Sequence, residues 1–280
     1  MADLTVIIVA LLGGDALEAT VEAVRAQCPS LLVVARDGTI TDAAGARLGA
    51  AEHCNIPFKR KRAVELASTS FVALIEDTVI PQPGWASAIA AAFERPTVIA
   101  CGGPVAIATK LPASSRALAL SEYGAFNAGR PDGTMPALPG CNFAFRRDAL
   151  LEAMGDYGLV DQITFQRLEM RGGQLVWSPG MTVEFSHAND VGARLSTRFQ
   201  HGRIYASSGD RGMGGRVSAA AKALLLPPVL MMRSLRQAAN AGQVSAPTLG
   251  WLVLQHTAWA AGELAGAVFG PSSKGVGAWR

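Results

Sequence analysis

Residues 71–85 read FVALIEDTVIPQPGW, and the rest of the chain can be read outward from the middle of this stretch. Five apolar residues, Phe71 through Ile75, suit a short strand buried on both faces, and two acids, Glu76 and Asp77, follow without a spacer. A strand so built delivers carboxylates to a sheet edge. In an open α/β sheet ligands bind at the carboxyl ends of the strands, and Pro81, Pro83 and Gly84 then turn the chain into a helix that starts near Trp85. That layout suits a phosphate or a metal ion. By themselves Glu76 and Asp77 would equally cap a solvated turn before the next helix, so the remainder of the chain has to choose.

Upstream, LTVIIVALL (4–12) is too short to span a membrane and is preceded by Asp3 rather than by basic residues, which makes it a first core strand and not a signal peptide. Gly13 and Gly14 make a turn. Asp15, with Glu18 three residues on, has the spacing of a capping arrangement for a helix carrying Leu17, Val21, Val24 and Cys28 on one face. A second apolar strand, 31–35, ends at the polar group Arg36, Asp37, Gly38 and Thr39. A short strand at 56–58 is expected to lead into the basic run KRKR (59–62) and a helix through Leu66. Strands alternating with helices call for a mostly parallel, Rossmann-like sheet, because parallel neighbours need a crossover. Basic groups beside acidic ones at one sheet edge suit a diphosphate. There is no GxGxxG after the first strand and no Walker P-loop, which leaves a dinucleotide oxidoreductase or a P-loop nucleotide hydrolase without support.

The 280 residues, half of them hydrophobic, are enough for one large core plus an appendage. A net charge of +3 is small, and no nucleic-acid partner is expected. The charge is unevenly placed: from Asp190 to Arg236 there are seven Arg and one Lys against two Asp, and the remainder is net negative. This skew points to an anionic partner or surface near the C-terminal third, or to a solvated connector. Cys28, Cys54, Cys101 and Cys141 show no CxxC spacing and sit in apolar surroundings, so reduced, buried thiols in a cytosolic compartment are expected and no structural zinc site.

An ordered set of segments carries a family resemblance: DGT at 37–39, RKRAVELA at 60–67, IEDT before PQPGW, GGPV at 102–105, GCNFAFRRDAL at 140–150 and VDQITFQRLEMRGGQLVWSP at 160–179. Over about the first two hundred residues the chain resembles family 2 glycosyltransferases of the GT-A fold. The resemblance implies an α/β fold with a Rossmann-like, mostly parallel mixed sheet. It also implies transfer of a sugar from a nucleotide-sugar donor, with Mg²⁺ or Mn²⁺ as cofactor. Asp37 matches the nucleoside-contacting acid of the family's DG[ST] turn, Arg60 the Arg that opens the RNxGxxxA segment, and Glu76, Asp77 and Thr78 the acidic DxD region. Carboxylate-held cations neutralise the diphosphate as it leaves. Asp161 matches the general base, with Arg167 seven residues beyond Val160 as in the family pattern; inversion at the anomeric carbon follows. Alone, Asp161 would equally be an N-cap of the following helix. His187, after the strand 182–185, stands where related enzymes often carry a His, and with Asp77 it is the candidate metal ligand.

The chain departs from the pattern at three places: Ala10 to Leu12 replace a PTYN-like segment, Arg36 replaces an acid, and Thr78 stands at the third DxD position, where a hydroxyl is a poorer ligand for a hard cation. These departures support an alternative, a GT-A-like protein that binds a nucleotide-sugar at the membrane without turnover. A nucleotidyltransferase would share the sheet but normally has a Gly-rich, Lys-containing first loop.

The loop 127–139, with three prolines and two glycines, suits either a cover over the sugar or a plain connector. Tyr157 and Trp177 suit the core or an acceptor wall. RFQHGR (198–203) resembles the family's interfacial region but is not the QxxRW of processive synthases, so transfer of a single sugar is expected. Two apolar helices follow, 218–232, interrupted by Pro227 and Pro228, and 246–269. In the second, Thr248, Gln255 and Glu263 lie on one stripe, while Ala258, Gly262, Gly266 and Gly270 recur every fourth residue on another and allow close helix approach. The expected division is 1–190 catalytic, 191–217 a basic connector and 218–280 a helical hairpin docked on or dipped into the cytosolic face of a membrane, its basic flank toward anionic lipid. The alternative is a soluble helical cap or a homodimer contact. The expected partners are a nucleotide-sugar donor and a glycan or lipid-linked acceptor of cell-envelope or polysaccharide synthesis.

Overall fold

The apolar runs of the first hundred residues form strands in the computed structural model, which describes residues 3–52, 55–127, 130–155, 158–187, 191–207, 213–241 and 245–270. In chain order these are β1 (Leu4–Val9), α1 (Gly14–Arg25), β2 (Leu31–Val34), β3 (Thr39–Asp42), β4 (Arg47–Ala50), α2 (Ile56–Leu66), β5 (Phe71–Glu76), β6 (Val79–Pro81) and α3 (Trp85–Phe93). There follow β7 (Val98–Gly102), β8 (Val105–Ile107), α4 (Ala113–Tyr123), β9 (Gly133–Thr134), β10 (Asn142–Arg146), α5 (Arg147–Met154), α6 (Asp161–Met170), β11 (Gln174–Trp177) and β12 (Val183–Phe185). Three helices complete the described chain: α7 (Val191–Ser207), α8 (Met213–Ala241) and α9 (Ala246–Phe269).

The contacts divide the chain into two units, the first comprising Met1–Ala106 with Phe126–His187 and the second Ile107–Ala125 with Ala188–Trp279. The first is built on a nine-stranded sheet in the order β4-β3-β2-β1-β5-β10-β7-β11-β9, with a small sheet β6-β12-β8 beside the strand ends. β2, β1 and β5 are parallel, β10 runs antiparallel to both β5 and β7, and β11 is parallel to β7. β3 is antiparallel to β2, β4 to β3 and β9 to β11, so six of the nine strands point one way and three, β3, β9 and β10, the other, the mostly parallel mixed sheet expected from the sequence. All six residues of β1 are buried, as the unbroken run LTVIIV requires of a central strand covered on both faces. Phe143, Phe145 and Phe165 join Leu74, Val72, Leu150 and Leu168 in the core on one side. Cys28, Cys101 and Cys141 are buried cysteines outside any disulfide; Cys54 lies outside the described residues.

Local details differ from the sequence reading for identifiable reasons. The expected strand at 56–58 is the first turn of α2, because Asn55 Oδ1 accepts the Phe58 N–H at 3.2 Å and Pro57 occupies the start of the helix. In α1 the cap position falls on Gly13, without a side-chain cap, and the buried face is Ala16, Thr20 and Val24 rather than the one through Leu17 and Val21. Thr20 takes its place inside by donating to Ala16 O and Val79 O, both at 3.0 Å. Beyond the polar group 36–39, the segment 39–50 forms the β3–β4 hairpin at one edge of the sheet.

The second unit is helical. The expected basic connector contains α7, which is packed against α9: a methyl group at Gly262 would come within 3.0 Å of Phe199 O, and one at Gly266 within 3.0 Å of Arg203 O. The small-residue stripe thus serves close approach, with α7 as its partner. Gln255 and Ser121 hydrogen-bond at 2.9 Å, drawing α4 into the same bundle. His256 and Ser234 join α9 to α8 at 2.9 Å, and Arg198 pairs with Glu122 at 3.5 Å beneath the Trp259 ring. α8 runs unbroken through Pro227 and Pro228.

Candidate active site

The carboxyl edge of the parallel strands carries the site. Val9 of β1 is level with Val34 of β2 and with Glu76 of β5, so Asp37, three residues past Val34, and Glu76 share one edge. At that edge a single guanidinium, Arg60, collects acceptors from three other segments. Its Nη2 donates to Glu76 Oε1 at 2.9 Å and to Gly140 O at 2.7 Å, while Nη1 donates to Asp161 Oδ1 at 3.0 Å. Arg60 is 5% exposed and its charge lies over the Phe143 ring, 5.2 Å from the centroid. A buried guanidinium is stable only with such partners, and the planar fork of Arg lets it hold several at once.

Backbone geometry brings the four segments together. Leu159 N donates to Pro57 O at 3.0 Å, clamping the approach to α6 onto the first turn of α2. Gly158, at φ +73°, passes so close to Pro57 that a side chain would overlap its carbonyl. With these two starts stapled, Arg60 on the second turn of α2 faces Asp161 on the first turn of α6. Gly140 completes the fit, since a methyl group there would come within 3.0 Å of Asp161 Oδ2. Glu76 arrives as the last residue of β5, whose neighbour β10 starts just beyond Gly140.

The two main carboxylates differ in setting. The Glu76 side chain is 11% exposed, whereas that of Asp161 keeps 34% of its surface and opens outward. Burial pushes the Asp161 carboxyl above the ordinary carboxylate range, against the opposing pull of Arg60. A carboxylate with raised proton affinity and an open side has the properties of a general base.

Asp77 has another task. It is fully buried, and its carboxylate accepts the N–H groups of Leu11, Leu12 and Gly13 at 2.8, 2.9 and 2.7 Å, closing the turn between β1 and α1. A carboxylate so engaged is not presented to a cation. Thr78 Oγ1 lies 3.4 Å from Glu76 Oε2. His187 comes to the same place through backbone bonds, since the N–H groups of Ser186 and His187 both reach Thr78 O, at 3.1 and 3.3 Å. Its ring is oriented by Ser186, whose Oγ is 2.9 Å from Nδ1. Asp37 is exposed and closes its own turn on the Thr39 N–H and hydroxyl, at 2.9 and 3.1 Å, contacts that hold its carboxyl below the ordinary range. The basic run disperses around its helix: Lys59 Nζ donates to Arg36 O at 2.6 Å and Lys61 Nζ to Gly155 O at 2.8 Å, so only Arg60 enters the hub.

Among the described residues no group of three or more His, Cys, Asp and Glu could hold a metal ion. The donors near Thr78 do not fit a resident cation caged by protein. They do fit one that arrives with a diphosphate and keeps most of its ligands from phosphate and water.

The sequence did not reveal three structural contributors. Gly140 and Gly158 act through the absence of a side chain, and their signal was the GCN and YGLV context of short turns. Asn142 is fully buried, accepts the Trp85 indole N–H at 2.8 Å and donates to Met181 O at 2.7 Å, tying the loops behind the site.

A mixed sheet of this order, with acids at the carboxyl edge and a helix-borne Arg between them, is an open α/β architecture whose candidate ligand edge is the carboxyl end of the strands. Two solved structures place it more closely. The chain is similar to the mannosyltransferase PcManGT from Pyrobaculum calidifontis, solved in complex with GDP-Man and Mn²⁺, with a TM-score of 0.53 and 19% identity over 92% of this chain and 85% of that one. It is also similar to GalNAc-T7, solved with UDP, GalNAc and Mn²⁺, with a TM-score of 0.50 and 14% identity over 68% of this chain and 45% of that one. The fold is thus that of GT-A-like glycosyltransferases. No protein-family model matches the sequence, and no curated protein sequence does either.

Proposed function

We propose that the chain transfers a single sugar from a nucleotide-sugar donor to an acceptor hydroxyl, with inversion, and that Asp161 is the general base. The observation that carries this reading is the Arg60 hub, which spends a buried cation on positioning Glu76 and an outward-opening Asp161 at the ligand edge of the sheet. In the reaction the acceptor oxygen attacks the anomeric carbon as its proton passes to Asp161, the bond from that carbon to the phosphate oxygen breaks, and the nucleoside diphosphate leaves. Asp37 at the end of β2 contacts the nucleoside, and Glu76 and Arg60 border the diphosphate. Both solved neighbours hold Mn²⁺; here Glu76, Thr78 and His187 are the donors for a cation carried in with the donor, Asp77 being engaged in the fold. Such a cation supplies charge neutralisation for the leaving diphosphate.

The acceptor on this reading is a glycan or lipid-linked hydroxyl, and the chain works at the cytosolic face of a membrane in envelope or polysaccharide synthesis. The long apolar helix Gly215–Gln237 supports that placement.

A panel of nucleotide-sugars, each tested with and without Mn²⁺ for thermal stabilisation of the protein, identifies the donor by mass action. Release of nucleoside diphosphate from the best donor then reads turnover. Asp161→Asn should retain the thermal shift and slow turnover by roughly 10² to 10⁴. Donor binding with equal turnover in both proteins removes Asp161 from the chemistry, binding without turnover in either supports the non-catalytic alternative, and no stabilisation by any nucleotide-sugar refutes the reading.

A further inference from the structure

α8 packs on one side only. Ala223 and Ser234 are buried on the side toward the bundle, where Ser234 meets His256. Around the opposite side Val217, Leu224, Leu225, Val229 and Met232 are each more than half exposed. At 100° per residue these five fall on one continuous stripe. Contiguous apolar side chains left open to water in this way are the usual mark of a surface that something else covers.

The charges decide what it associates with. α8 contains Arg216, Lys222, Arg233 and Arg236 and no acidic residue in its 29 positions. On the helical wheel Lys222 and Arg233 lie along one border of the apolar stripe and Arg236 beside its C-terminal end. Cations flanking an apolar face are the pattern of a helix lying in a headgroup layer, with long basic side chains reaching the phosphates as the apolar residues enter the acyl boundary.

The same helix is ill suited to span a bilayer. Lys222 sits well inside the segment 215–237 and Arg233 toward its other end. Pro227 and Pro228 lack the N–H groups that would pair with the carbonyls of Ala223 and Leu224, and a freed carbonyl is far less costly near headgroup water than in hydrocarbon.

We propose that the outward face of α8 docks this chain on an anionic lipid bilayer, with Leu224, Leu225, Val229 and Met232 inserted at the interface and Lys222, Arg233 and Arg236 on lipid phosphates. The inference rests on the membrane reading given above but not on the transfer chemistry, because lipid binding is read with no donor present.

The test is co-sedimentation of the full chain with phosphatidylcholine vesicles and with vesicles containing phosphatidylglycerol, at low and high salt. The chain should pellet with the anionic vesicles and only weakly with the neutral ones, and high salt should loosen the binding without abolishing it, because salt screens the charge attraction and not the apolar insertion. Replacing Lys222, Arg233 or Arg236 by Gln should each weaken partitioning by about fivefold. Leu225→Asp with Val229→Asp should abolish it, while thermal unfolding stays at the wild-type temperature because both side chains are exposed. Full-length protein left in the supernatant at low salt overturns the proposal, as does equal binding to neutral vesicles or wild-type binding by the double Asp variant. A dimer that the double variant splits, in a protein that ignores vesicles, also overturns it and gives the face to a second copy.

Discussion

Gly140→Ala is the sharpest probe of the hub. The substitution leaves the Gly140 carbonyl in place for Arg60 Nη2, and Gly140 has no positive φ, so the backbone accepts alanine. The added methyl group lands inside 3.0 Å of Asp161 Oδ2, closer than real side-chain carbons come to any atom. The carboxylate must retreat by on the order of 1 Å, and a displacement of that size at a reacting group costs about 10²-fold in rate. Overpacking costs about 1–3 kcal/mol, partly offset by the roughly 0.4–1 kcal/mol that alanine contributes by restricting the unfolded chain. Turnover should therefore fall about a hundredfold while the protein stays folded and donor binding is nearly kept. The assay is nucleoside diphosphate release in Gly140→Ala, Asp161→Asn and the double variant. If displacement of Asp161 is the cause, the alanine adds little once Asp161 is gone, because effects of groups acting as a unit are not additive. Wild-type turnover in Gly140→Ala, or full additivity in the double variant, refutes the reasoning.

Asp77→Asn should destabilise the fold by roughly 2–4 kcal/mol, since charge-assisted bonds to three turn amides are lost or weakened at a buried site; an unchanged denaturation midpoint would contradict this. Turnover should fall as pH drops through the Asp161 value, and because burial raises that value, the limb should lie above the ordinary carboxylate range. The same shift has a stability sign: ionising a group whose folded pKa is raised costs stability, with no cost below the unfolded value and the full cost above the folded one, so Asp161→Asn should unfold at a higher temperature than wild type at neutral pH. His256, depressed by burial to about 4 from 6.5 with Arg198 adding to the shift, works the other way. Its contribution is present above the unfolded value and lost as pH falls from 6.5 toward 4, so His256→Gln should flatten thermal stability across that window, and an identical slope in both proteins would exclude it.

The sheet was legible because its strands are unbroken aliphatic runs, and LTVIIV or FVALI has few other places to go than a buried parallel sheet. Helix α9 was legible to its ends because Ser245 and Pro247 mark one and Gly270 the other. The start of α2 was misread because IPF is as apolar as a strand, and only the Asn55 cap distinguishes the two. Within the site, the acids at the end of an apolar run identified Glu76 as a candidate and the family resemblance identified Arg60 and Asp161, but neither gave their convergence on one guanidinium, which depends on long-range packing between residues 101 positions apart. The placement of α4 with the C-terminal helices was likewise unreadable, resting on Ser121 meeting Gln255 across 134 residues.

The acidic segment shows why neighbouring carboxylates cannot share a task. Successive residues at a strand end project to opposite sides, so Glu76 turns toward Arg60 and Asp77 toward the β1–α1 turn, and the residue that returns to the Glu76 side is Thr78. On the proposed reading a cation at this edge meets one carboxylate and one hydroxyl besides the His187 imidazole, a weak set for a hard ion. Thr78→Asp changes little volume and places a second carboxylate beside Glu76. Without metal the like charges should repel and lower the unfolding temperature. With Mn²⁺ the pair should bind it and reverse the loss, so the Mn²⁺-dependent thermal shift should be larger in the variant than in wild type, both without donor and with it. A variant whose unfolding temperature ignores Mn²⁺ would mean that Thr78 and Glu76 do not face a common cation position, and the metal donors assigned to this edge would then have to be abandoned.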